Sequence, residues 1–92
     1  MDFEWDPKKA AANLAKHGVH FELVKDVFRD PARLSHLDDS SENEERWRTI
    51  GLAGGRVFFV VYTERDNDVI RISSAREANK REERDYFGQT AP

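Results

Sequence analysis

Ile70-Arg71-Ile72-Ser73-Ser74-Ala75-Arg76-Glu77-Ala78, continuing to Glu82 and Tyr86, decides the fold, because an apolar β-branched run gives way there to helix-forming residues. Ile70 and Ile72 alternate with Arg71, which predicts a strand over 68–73 whose arginine faces away from the layer its neighbours pack into. Ser74 and Glu77 have the spacing of a capping box, so the spacing predicts a helix opening at Ser74, with Ala75, Ala78, Glu82 and Tyr86 on one face. Arg76 would then sit at a helix N-terminus, where unpaired N–H groups and the dipole disfavour a lone cation unless an anion joins it. Arginine's planar fork matches phosphate oxygens, so Arg76 is a candidate phosphate-binding residue; the alternative is an ordinary ion pair with a nearby Asp or Glu.

Upstream, the pattern is extended. Segments 33–38, 46–53 and 56–64 read as strands of increasing strength, joined by turns at Ala53-Gly54-Gly55 and, before the last strand, Arg65-Asp66-Asn67-Asp68. Val57-Phe58-Phe59-Val60-Val61-Tyr62 is apolar on both faces, which predicts a central strand with cover on each side.

The N-terminal third is helical after a short strand or extended anchor at Phe3-Glu4-Trp5. Asp6 can cap a helix opened by Pro7, with Trp5 and Ala10 in staple positions and Gly18 as a left-handed end. Ala10, Ala11, Leu14 and Ala15 form its expected apolar stripe. A second helix carries Phe21, Val24, Val27 and Phe28 at helical spacing and ends at Asp30-Pro31. The fold class expected is α+β: two N-terminal helices, an antiparallel sheet of about four strands and a C-terminal helix.

Ninety-two residues, 36% of them charged, suit one small domain over 1–92, with 88–92 expected as a frayed tail. Without cysteine there is neither a disulfide nor a thiolate metal site, and three scattered histidines lack zinc spacing, so no cofactor is expected. The acidic start has no signal-peptide pattern and the longest apolar run cannot span a bilayer, which predicts a cytoplasmic protein with no membrane partner. The net charge of -3 is unevenly placed: residues 1–45 hold 6 Lys+Arg against 11 Asp+Glu, and residues 46–92 hold 9 against 7. A locally basic second half leaves nucleic acid open as a partner. The acidic run from Asp38 to Glu45 reads as a solvated loop or as a site for a basic partner.

Phe3-Glu4-Trp5-Asp6-Pro7 with Asn13, Lys16-His17-Gly18-Val19 with Phe21-Glu22, Asp30-Pro31, Arg46 with Ile50-Gly51, and Ser74-Ala75-Arg76 with Ala78, Glu82 and Tyr86 together resemble the BrnT toxins. Their order and spacing run through nearly the whole chain. The resemblance implies a type II toxin with a RelE/ParE-like fold, RNA cleavage as its activity, and a BrnA-like antitoxin with a ribbon-helix-helix DNA-binding portion. Operator DNA would be bound only through the toxin–antitoxin complex. His20, Ser73 and Glu83 depart from the usual residues of that family, the last by losing a positive charge.

RNA cleavage without a metal needs a base for the 2′-OH, cations for the charge on phosphorus and an acid for the leaving oxygen. His17, the histidine within the family pattern, is the candidate for proton transfer; capping a helix end is its alternative. Arg46 and Arg76 are candidates for the phosphate, and Tyr86 for the catalytic set, although a core aromatic with one hydroxyl partner explains Tyr86 as well. Lys16, Arg48, Arg71 and Lys80 are candidate RNA contacts, against the ordinary reading of solvated surface charge. Glu82 and Ser74 would orient the arginine. A binding module of the same fold that does not cleave RNA is the second functional reading.

Overall fold

The computed structural model describes residues 1–38 and 45–89, so most of the acidic run and the last three residues lie outside the described residues. Five strands make one sheet: β1 (Asp2–Glu4), β2 (Leu34–Asp38), β3 (Arg46–Ala53), β4 (Arg56–Arg65) and β5 (Val69–Glu77), in the order β1-β5-β4-β3-β2. The expectation of about four strands falls short by one. Phe3 and its neighbours pair in parallel with β5, whereas all other neighbours are antiparallel. The two turns form as read: Gly54 and Gly55 have φ of 56° and 80°, and Asn67 and Asp68 have 64° and 60°. These positive values favour Gly, Asn and Asp.

Helix α1 (Pro7–His17) starts and stops where the sequence marks it, with the Asp6 carboxylate accepting from Lys8 N–H at 2.8 Å and Gly18 closing it at φ 69°. Its buried face differs from the expected one. Ala11, Leu14 and Ala15 are exposed, and the buried residue of α1 is Asn13. The α1 helix meets the edge of β5 beyond the end of β1, where a carboxamide can serve the exposed peptide group and an alanine stripe cannot.

The second helix is one α-helical stretch, α2 (Phe21–Val24), running into a 3₁₀ segment (Lys25–Arg29). Phe21, Val24, Val27 and Phe28 are all buried, as their spacing predicts. They pack on one face of the sheet against Phe58, Val60 and Tyr62 of β4 and Ile70, Ile72 and Ala75 of β5. The Phe28 ring stands edge-on to Tyr62 at 4.8 Å. Gly51 lets this layer close: a Cβ there would lie 2.7 Å from Val27 Cγ1.

The β5 strand does not end at Ser73, and no helix opens at Ser74. The register shifts between Val61 and Tyr62, so Val61 pairs with Ser74 but Tyr62 with Ile72, and Ser73 is the extra residue of a bulge. Beyond it Ala75, Arg76 and Glu77 pair with Val60, Phe59 and Phe58. The long central strand β4 needs a partner along its whole length, and that demand overrides the local capping signal. Helix α3 (Lys80–Gly88) opens two residues after β5, capped by Asn79: its Oδ1 accepts from Glu82 N–H at 2.8 Å, and Glu82 Oε1 accepts from Asn79 N–H at 2.9 Å. The box has the expected spacing but sits five residues later. Arg76 is therefore a strand residue of β5 and does not sit at a helix N-terminus. Nor is the whole of 88–92 a loose tail, since Gly88 closes α3 and Gln89 Nε2 donates to the Ala32 carbonyl. Among the described residues, no helix is long and apolar enough to cross a membrane.

Candidate functional site

Pairing defines two faces of the sheet. On β3, Thr49 is fully buried toward α2, with Trp47 packed beside it, so Arg46, Arg48, Ile50 and Leu52 point to the opposite face. Residues directly across strands share a face, which adds His36 opposite Arg48, Asp38 opposite Arg46, Phe59 opposite Ile50, Arg76 opposite Phe59, and Ser74 opposite Val61. This second face is crossed at one end by α3.

Arg76 lies over the Phe59 ring at 4.3 Å, and its two terminal nitrogens donate to the two Glu82 oxygens at 2.8 and 2.9 Å. The pair joins β5 to the first turn of α3. Burial raises the Glu82 pKa, but hydrogen bonds from Arg76 and Asn79 N–H, with the charges of Arg76 and Arg48, outweigh it and hold the carboxyl below its usual range. Glu82 thus stays ionised and cancels much of the Arg76 charge. Beside this pair a cleft of about 410 Å³ is lined by Arg48, Ile50, Phe59, Asn79, Arg81, Glu82 and Asp85. Arg46 and Arg48 are exposed and supply the cationic character of this face.

The remaining candidates divide between other places. His17 and Lys16 are exposed at the end of α1 and line a separate hollow with Lys9, Asn13, Ser73 and Ser74. Ser74 belongs to that hollow, with no capping role. Arg71 is engaged by Glu4, its partner across β1 and β5. Lys80 is exposed at the start of α3.

Tyr86 is buried and its hydroxyl donates to Asp30 Oδ2. Burial and the adjacent Asp30 push the Tyr86 hydroxyl up to about 12. Asp30 itself also accepts from Ala32 N–H at 2.8 Å and Leu52 N–H at 2.9 Å. Burial raises its pKa, but these bonds, the Tyr86 hydroxyl and the charge of Arg33 keep it below the usual value. The sequence shows Asp30 only as a helix end; here it ties the 3₁₀ segment to β3 and α3. Its lowered pKa contributes stability above the unfolded carboxyl value that is lost as pH falls through the folded one. The raised Tyr86 pKa contributes stability present below about pH 10 and lost as pH rises through about 12. Tyr86→Phe is therefore expected to flatten the decline of thermal midpoint between pH 10 and 12, measured by circular dichroism; an unchanged decline would remove this link between α3 and the sheet.

His36 lies outside the family pattern, and its neighbours in the sequence do not mark it as a site residue. The signal that finds it is register: with Ser35 bonded to Thr49 and Asp38 across from Arg46, His36 falls opposite Arg48. Among the described residues, no three His, Cys, Asp or Glu side chains gather as a metal site requires.

The family described as "Ribonuclease toxin, BrnT, of type II toxin-antitoxin system" matches residues 5–82. No curated protein matches the chain. The crystal structure of the Brucella abortus ribonuclease toxin BrnT is similar to it with a TM-score of 0.67 and 24% identity over 87% of this chain and 99% of that one. That likeness shows the fold, an α+β arrangement with a five-stranded sheet and three helices. The family match extends from Trp5 to the Glu82 that grips Arg76, and on that extent the chain belongs to the BrnT family of ribonuclease toxins of type II toxin–antitoxin systems.

Proposed function

We propose that the protein is a cytoplasmic, metal-independent endoribonuclease toxin of RelE-like fold, formed by one domain, whose action on RNA blocks translation. The observation that carries this reading is the second face of the sheet, where Arg46 and Arg48 stand exposed beside the Arg76–Glu82 pair and its cleft. RNA would lie across the strands, with Arg48 on the scissile phosphate, Arg46 on its neighbour and Arg76 positioned by Glu82 to complete the cationic wall. Lys16 and His17, beyond the β5 edge, would meet a flanking nucleotide, with Lys80 at the other border. In the reaction a base takes the 2′-OH proton, the O2′–P bond forms, the P–O5′ bond breaks, and an acid returns a proton to O5′. The partner is a protein antitoxin with a ribbon-helix-helix portion that covers this face and brings the pair to operator DNA.

The neutralisation of Arg76 by Glu82 favours a second reading, a module that binds without cleaving. The two separate in one experiment. Purified toxin incubated with defined RNA in EDTA is expected to leave 2′,3′-cyclic phosphate ends, detected by mass spectrometry; intact RNA under the same conditions would select the binding module.

A further inference from the structure

We infer that His36, on edge strand β2, is a proton-transferring residue of this site, a conclusion that rests on the reading of the second sheet face as the RNA-cleaving surface. Three observations converge on it. His36 is paired directly with Arg48, so the two side chains leave the same face with Cβ atoms about 5 Å apart. Arg48 in turn lines the α3 cleft and acts on the charge of Glu82, the partner of Arg76, which puts His36 one strand beyond the arginine that borders that pair. His36 is exposed, and among the described residues no hydrogen bond or ion pair holds its ring, so the imidazole can reach a phosphodiester held by Arg48 without dismantling the fold.

The alternative histidines are less well placed. His17 is separated from Arg48 by the width of β5 and β4, since its hollow reaches Ser74, which pairs with Val61, which pairs with Arg48. At about 4.8 Å per strand, His17 lies two strands and the hollow away from Arg48, whereas His36 is one strand away. His20 lines a groove with Trp5, Leu14 and Phe21, away from the arginines. The charged groups beside His36 on this face are Arg48 opposite and Arg46 and Asp38 in the next pair, and Arg81, Glu82 and Asp85 lie beyond Arg48 around the cleft. An imidazole among them can accept the 2′-OH proton or return one to O5′, moving a proton without any other co-reactant.

The test uses the full-length toxin and a short RNA with one cleavable linkage. His36→Gln is expected to lower kcat/KM about 10²-fold and to remove one limb of its pH dependence, with affinity for the 2′-deoxy analogue within a few-fold of the parent. His36→Gly should regain activity with added imidazole, which a merely structural role would not allow. His20→Gln, outside the site, serves as the control with the parent profile. An unaltered pH profile in His36→Gln, or loss of the limb in His17→Gln instead, would overturn the assignment while leaving the ribonuclease reading intact. If the parent toxin cleaves nothing, that reading itself has failed.

Discussion

Arg48→Ala is expected to lower RNA cleavage by about 10²- to 10³-fold while leaving the thermal midpoint of the toxin unchanged. Arg48 is exposed on β3 and stands across from the exposed His36 of β2, so its removal leaves no buried group unsatisfied. Its guanidinium lines the cleft and among the described residues has no bidentate carboxylate of its own, which leaves it able to meet charge developing on phosphorus. Arg76→Ala should behave differently. It strips the Glu82 carboxylate of both its guanidinium contacts and uncovers Phe59, so cleavage and stability are expected to fall together, with α3 loosened from β5. Paired measurements of turnover and thermal unfolding separate the two arginines: an Arg48 variant that melts early, or an Arg76 variant that melts like the parent, would reverse the roles assigned here.

The strands, turns and first helix were legible because each is set by local chemistry. Gly54-Gly55 supplies the positive φ values its hairpin needs, Asp6-Pro7 starts α1 and Gly18 stops it, and the apolar face of Phe21, Val24, Val27 and Phe28 has the period of a helix. What misled was competition between local and distant demands. Ser74 and Glu77 carry a capping signal, but Val60, Phe59 and Phe58 require partners, and a bulge at Ser73 provides them by carrying the strand to Glu77. The site inherits that error and partly survives it. Glu82 does grip Arg76, because the strand end and the first turn of α3 meet whichever element Arg76 belongs to, whereas His17, which the family pattern singles out, lines a hollow at the β5 edge with Ser73 and Ser74. His36 was out of reach for another reason: nothing in its own neighbours marks it, and only its register against β3 does.

Asn13→Leu, nearly isosteric, is expected to destabilise the toxin by about 3 to 5 kcal/mol, a large share of the total for a domain of this size. The Asn13 carboxamide lies along the edge of β5 as a piece of strand would: Nδ2 donates to the Ala75 carbonyl at 2.8 Å and Oδ1 accepts from Ala75 N–H at 3.0 Å. Nδ2 also donates to Val19 O at 3.1 Å, tying the chain after α1 to the same point. With Asn13 only 6% exposed, leucine would leave three backbone groups without water or partner. Asn13→Asp makes the argument sharper, since a carboxylate can still accept from Ala75 N–H but turns its second oxygen toward two carbonyls. Only the protonated acid can donate there, so the folded-state pKa of the new carboxyl should be raised above its unfolded value of about 3.9. Its contribution is then fully present below that value and is lost as pH rises through the raised one, opposite in sign to Asp30 and Glu82. Thermal midpoints of the Asp variant, compared with the parent at each pH, should therefore lie closer at pH 4 than at pH 7. A constant gap across that range would show that Asn13 holds α1 to β5 by shape alone.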